Sequence, residues 1–217
     1  MITIVKLQNL FGDLSPRGME QVFTDWEMLV GFGAKAECAP IVIASGAAEI
    51  DRHMDSNHVV IETQIEKNDA GFGHIYFAFP NALVIEIIGE VLMIPDSAKE
   101  EKAKSGLSKN DIETFQEMAN LLCGSWNRVF QDLERNLRIS QSVDDLKVSP
   151  SVGAKSALIS RIPEGRVAWV ETKVLAGDKT YPAMIVLPFG VALAVAEEFY
   201  ATTDPRSARA SGEDRAA

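Results

Sequence analysis

The chain has 217 residues, 47% of them hydrophobic and 24% charged, enough to bury a sizeable core in one or two packed units. Its formal charge of −10 argues against a nucleic-acid partner, since phosphate binding needs a basic surface, and the sequence has no run of 18 apolar residues to span a membrane. Two cysteines without metal-site spacing, Cys38 and Cys123, and an N-terminus without a basic flank or apolar signal core set the expectation of a cytoplasmic protein with free, buried thiols.

In chain order, Ser15-Pro16 places a proline at an expected first helical turn. Met19, Val22, Phe23, Trp26, Leu29 and Val30 then recur at helical spacing until Gly31-Phe32-Gly33. Pro40-Ile41-Val42-Ile43-Ala44 reads as a short strand. An alternating strand around Val60–Ile65 follows, then Gly71-Phe72-Gly73 as a hairpin turn, an apolar strand ending at Pro80, and a helix from about Asn81 to Met93. Residues 95–102 read as a polar linker. Ser108 then has the place of a helix N-cap, with Asp111 in the acidic slot of a capping box, and opens the longest expected helix, Lys109 to Asn136.

The strand-strand-helix unit is then written again. Val60-Ile61-Glu62-Thr63-Gln64-Ile65 returns as Trp169-Val170-Glu171-Thr172-Lys173-Val174. The stretch from Ile75 to Pro80 returns about 108 residues on, at Ala183 to Pro188, with Ala176-Gly177-Asp178-Lys179 as its hairpin turn and a helix to about Tyr200. Ser149-Pro150-Ser151-Val152 answers Ala39-Pro40-Ile41-Val42. The repeats span about 15–95 and 106–200 of one domain over residues 1–200, and 201–217, without apolar periodicity, is expected to be a disordered tail. The expected fold class is α+β: a duplicated unit with pseudo-twofold symmetry, a largely antiparallel sheet, and two long helices, Pro16–Val30 and Lys109–Asn136, side by side on one face.

On the second long helix, Ile112, Phe115, Ala119, Leu122, Trp126, Val129, Phe130 and Leu133 fall within about 60° of one direction. The opposite stripe carries Glu113, Glu117, Asn120, Gly124, Arg128 and Gln131. Glu117 and Asn120, three residues apart, project an acid and an amide together into solvent, and Gly124 one turn on leaves space beside them. Such a pair is also common on the wet faces of helices, Gly124 could equally serve close packing inside the protein, and Asn127 and Arg128 read most simply as solvated positions. His53, His58 and His74 lack a metal-ligand arrangement, and Ser45 and Ser125 have no base at recognisable spacing.

The segment from Phe115 to Gly124, preceded by Gly106-Leu107-Ser108 and set in a duplicated unit, resembles the CheC, CheX and FliY group of bacterial chemotaxis proteins over residues 15–200. Members of that group carry a glutamate, two residues and an asparagine on a long surface helix, followed by a small residue and a proline near the next strand, here Pro150 with Pro40 as its counterpart. The resemblance implies a phosphatase that hydrolyses the aspartyl phosphate of a CheY-like response regulator. Glu117 and Asn120 would then be catalytic: Asn120 holds a water in line with phosphorus, and Glu117 pairs with a lysine of the regulator. Glu113 and Gly124 would contact the partner. The chain would bring no metal or cofactor of its own, Mg²⁺ being supplied by the regulator. The sequence departs from the pattern in having Glu113 where Asp or Ser is usual and a long gap from Asn120 to Pro150. In the first copy, Glu20-Gln21-Val22-Phe23 puts an aromatic residue in the asparagine slot, so a single site is expected. A CheD-like protein and a homodimer through an exposed strand are left open as further partners. The alternative reading is a non-catalytic module that binds regulators or acts like a flagellar switch.

Overall fold

The structure is a computed structural model that describes residues 1–53, 58–141, 147–148, 162 and 164–201. Helix α1 runs over Ile4–Val30, twelve residues further toward the N-terminus than Pro16 suggested. The cause is a stripe that begins before the proline. Leu7, Leu10, Phe11 and Leu14 are buried in register with Met19, Val22, Phe23 and Trp26, and the Thr3 hydroxyl caps the start by accepting from the Lys6 N–H at 3.2 Å. Pro16 therefore sits inside the helix. Its ring would press on the turn before it, and the residue four back, Gly12, has no side chain to add to the crowding. At the other end Gly31 adopts φ +79°, and its N–H closes the helix on the Glu27 carbonyl at 3.0 Å.

Strands β1 (Lys35–Cys38) and β2 (Val42–Ala44) come next, then a short 3-10 turn over Ala47–Arg52. Strands β3 (His58–Lys67) and β4 (Ala70–Pro80) form a hairpin leading directly into α2 (Asn81–Leu92). The hairpin turns at Asn68 and Asp69, both at positive φ, and not at Gly71-Phe72-Gly73. Those glycines belong to β4. The register shifts there, Ile65 pairing with Gly73 and Glu66 with Gly71, and a Cβ on Gly73 would stand 2.3 Å from Val191.

Residues 95–102 are not a linker. From Asp96 to Ser105 they form helix α3, made of good helix formers with Asp96 in the first turn and Lys102 and Lys104 in the last. Helix α4 spans Lys109–Asp132 and opens with the expected capping box, the Asp111 N–H donating to Ser108 and the Ser108 N–H to the Asp111 carboxylate at 2.8 Å. It stops four residues short of Asn136, where Glu134 enters the left-handed region at φ +53°. Strands β5 (Arg138–Gln141), β6 (Lys147–Val148), β7 (Val167–Ala176) and β8 (Lys179–Pro188) and helix α5 (Phe189–Ala201) complete the chain.

All pairings in the eight-stranded sheet are antiparallel, in the order β1-β7-β8-β4-β3-β5, with β2 also on β7 and β6 on β3. That order reads the same from both ends once the copies are exchanged. At its centre Phe77 pairs with Ile185, its own repeat counterpart, so the pseudo-twofold axis passes between them. Register also corrects the match of Pro40 with Pro150. Val42 pairs with Trp169 and Lys147 with Val60, which makes Lys147 the counterpart of Val42, five residues before the Val152 that the match had set there. Pro150 itself and residues 202–217 lie outside the described residues.

Alternation sets the two faces of the sheet. Val59, Ile61, Ile65, Ile75, Phe77 and Phe79 face the helices and join Leu83, Ile87, Phe115, Leu122 and Trp126 in the main core. Val60, Tyr76, Ala78, Trp169, Met184 and Val186 face the other way and pack with Ile50 and Ile162.

Candidate functional site

The geometry of the site rests on the packing of α1 against α4. Ser15, Gly18, Met19, Val22, Phe23, Asp25 and Trp26 are buried on α1, and Phe115, Met118, Ala119, Leu122, Cys123, Ser125 and Trp126 are buried in the same pattern on α4. Trp26 thus falls on Trp126 and Asp25 on Ser125. Close approach is supplied by Gly18, where a Cβ would stand 2.4 Å from the Trp126 ring.

A buried polar clasp then fixes the rotation of the two helices. The Asp25 carboxylate, 1% exposed, accepts from the Gln21 amide at 3.0 Å, from the Ser125 hydroxyl and from the Arg128 guanidinium at 2.5 Å. Arg128 is therefore an interhelical tie and not a solvated residue. Asn127 is engaged as well. Its amide donates to the Ile139 carbonyl at 2.9 Å and accepts from the Ile139 N–H at 2.7 Å, holding β5 against the helix as a strand neighbour would. Sequence reasoning missed both because each partner lies on another element.

With the rotation fixed this way, Glu113, Glu117, Asn120 and Gly124 are all exposed on the outer face of α4, and Phe115, Leu122 and Trp126 are buried. Glu113 pairs along the helix with Lys109 at 3.5 Å. Among the described residues neither Glu117 nor Asn120 has a hydrogen-bond or ion-pair partner. Among the described residues a Cβ on Gly124 would meet nothing within 4 Å, so the glycine leaves the pair open on this side and packs against none of them.

The equivalent face of α1 differs. The shared burial pattern puts Arg17 opposite Glu117, Glu20 opposite Asn120 and Thr24 opposite Gly124, and Arg17 is held by Asp13 at 3.0 Å. Phe23, expected in the asparagine slot, is 1% exposed and corresponds to Cys123. The slip was one helical turn, because the apolar spacing of α1 alone leaves the choice of turn open.

The remaining polar residues fall into structural sets. Lys99 on α3, 7% exposed at its side chain, meets Asp96 at 2.8 Å, Glu90 at 3.0 Å and Glu86 at 3.3 Å. Burial pulls the Lys99 ammonium down, but the three carboxylates outweigh it and hold it above the usual lysine range. Burial pushes the Glu86 carboxyl up, yet hydrogen bonds from Lys179, Tyr181 and Lys99 leave it below its ordinary value. Asp111 behaves alike: burial raises it, and the bonds from Ser108 and Lys102 more than reverse that. The thiols are structural in kind. Cys123 is pushed up to about 12 by burial, and Cys38 is raised by burial against a weaker lowering contact with Thr172. His53 pairs with Glu171 at 2.8 Å and His74 with Glu62 at 3.3 Å, while Ser125 spends its hydroxyl on Asp25. Among the described residues no group of three or more His, Cys, Asp or Glu is placed to hold a metal ion, and no helix is long and apolar enough to cross a membrane.

No family model matches the sequence. No curated protein matches it either. Solved structures do match the fold. The Thermotoga maritima FliY structure superposes with TM-score 0.66 at 15% identity, covering 94% of this chain and 100% of its own. The FliM middle domain from H. pylori gives 0.67 at 7% identity, over 91% and 99%. That of Vibrio alginolyticus gives 0.62 at 7% identity, over 85% and 96%. At these identities it is the architecture that is shared: a symmetric antiparallel sheet under paired long helices is the fold of FliY and of the FliM middle domain, and this chain has it.

Proposed function

We propose that this chain is a phosphatase for the aspartyl phosphate of a CheY-like response regulator, with the outer face of α4 as its working surface. The observation that carries the reading is the pair Glu117 and Asn120, exposed one turn apart on a rigid helix and without partners among the described residues. Gly124 supports it. A helix-interior glycine costs about 1 kcal/mol relative to alanine, and nothing packed against it here offsets that cost. Close approach of a second protein is the compensation we assign.

In this reading the helix docks over the regulator's phosphorylated aspartate. The Asn120 amide accepts from and donates to one water and holds it in line with phosphorus. Oxygen of that water bonds to phosphorus as the bond to the aspartate oxygen breaks, which releases inorganic phosphate and restores the carboxylate. Glu117 pairs with a lysine of the regulator and fixes the pose. Mg²⁺ held by the regulator would neutralise the phosphoryl oxygens. The α1 face, with Arg17 and Glu20 in the equivalent places, cannot do the same chemistry, so one site is expected per chain.

The second reading is a switch-like module that binds without hydrolysis. It is favoured by the FliM middle-domain matches, among them FliM structures in complex with FliG and with SpeE. Loss of phosphoryl label from a panel of purified CheY-like regulators, with and without this protein, separates the two. Acceleration for at least one regulator supports the phosphatase. Binding of a phosphorylated regulator that slows its hydrolysis supports the switch.

A further inference from the structure

Two large apolar side chains at the end of α1, Met28 and Leu29, are 69% and 60% exposed. They are not scattered surface residues. Asp25 points at α4, where it meets Ser125 and Arg128, and Met28 and Leu29 lie three and four residues further on, on that same side of α1. The helices run antiparallel. Arg17, Glu20 and Thr24 share a groove with Val129, Asp132 and Leu133, and Trp26 meets Phe115 with ring centroids 6.5 Å apart. Past Asp25, α1 therefore travels toward the N-terminal half of α4. The pseudo-twofold counterpart of that groove sets Leu29 toward the stretch of α4 that carries Glu117, Asn120, half-buried Leu121 and Gly124, with Met28 next to it on α1.

Among the described residues of α1 and α4, the charge left unpaired around this apolar step has one sign. Glu27 and Glu117 are exposed, and α1 has no Lys or Arg from Gly18 to its end. The two cations of α4 are engaged, Lys109 by Glu113 and Arg128 by Asp25. The last turn of α1 has no basic residue, so its carbonyl end adds negative potential at the same place. Such a surface fits a protein face that presents a lysine ringed by apolar side chains.

We propose that Met28, Leu29 and Leu121 form the apolar half of a two-helix docking surface whose acidic half is Glu117, and that its occupant is the receiver domain of the response regulator. The inference rests on the regulator reading above, and it adds that affinity is carried largely by α1 while turnover is carried by Asn120. A site confined to α4 would give no role to the exposed end of α1.

The test is calorimetric binding of the full chain to purified CheY-like regulators activated with beryllofluoride, which stands in for the aspartyl phosphate. The double variant Met28→Glu, Leu29→Glu is expected to weaken binding by about thirtyfold or more, with an unchanged thermal melt because both side chains are exposed. Asn120→Ala is expected to bind as tightly as the wild type. Wild-type affinity in the double variant overturns the proposal. So does a wild-type chain that self-associates in sedimentation and becomes monomeric in the double variant, since the occupant is then a second copy. If Asn120→Ala retains full phosphatase activity while the double variant loses binding, the docking surface stands and the catalytic reading falls.

Discussion

Alanine at Gly18 would put its Cβ 2.4 Å from the Trp126 ring, where α1 packs against α4. Trp126 is held between Phe77 and Phe130 and has little room to yield. Gly18→Ala is therefore expected to lower unfolding stability by about 1–3 kcal/mol. At Gly124 the same change meets nothing and improves helix propensity, so Gly124→Ala should raise stability by about 0.5–1 kcal/mol. Denaturant midpoints of the two variants check both signs. On the proposed docking, a bulkier Gly124→Leu should leave the fold intact and reduce regulator binding by filling the open space beside Glu117 and Asn120. In the sequence Gly18 and Gly124 both stand inside helical runs; which of the two faces a neighbour depends on residues a hundred positions away.

At the scale of elements, α3 is held by charge and not by an apolar stripe. Lys99 sits under Glu86, Glu90 and Asp96, and Lys102 reaches Asp111 of α4 at 2.9 Å. Lys99→Ala leaves the half-buried Glu86 without one of its cations and should cost about 2–4 kcal/mol. The pH dependence has a definite sign. Glu86 and Asp111 have folded pKa values below their ordinary ones, so their contribution is present above about pH 4–5 and is lost as the pH falls through the folded values. Urea midpoints from pH 7 down to 3 should drop, and drop less in Lys99→Ala. The first long helix offers a second check. Phe23 is buried, so Phe23→Asn should destabilise by about 3 kcal/mol without creating a site. Arg17→Glu with Glu20→Asn changes only the exposed face and should leave the melt unchanged.

For the molecule as a whole, the duplication, the antiparallel sheet and the two long helices on one face were legible because each depends on a local signal. Alternation gave β3 and β7, the apolar runs gave β4 and β8, and Ser108 with Asp111 gave the start of α4. What was not legible depended on contacts distant in sequence. Pro16 looked like a helix start because a proline fits the first turn, but the burial of Leu7 through Leu14 against α5 and the sheet carries the helix through it. Residues 95–102 read as a linker because their stabilising partners, Glu86 and Asp111, lie on other helices. Of the candidate site, the exposure of Glu117 and Asn120 followed from the apolar stripe alone. The Asp25 clasp, the engagement of Asn127 and Arg128 and the exposed end of α1 did not, since each needs the register between α1 and α4.

The claim that the outer face of α4 is a phosphatase site meets its most direct test in single turnovers at saturating regulator, comparing the wild type with Asn120→Ala on a cognate ³²P-labelled CheY-like regulator. The dephosphorylation rate is expected to fall by about 10²-fold or more, the scale on which loss of a water-orienting group is felt, with an unchanged thermal melt because the side chain is exposed. An Asn120→Ala protein that releases phosphate as fast as the wild type would contradict it.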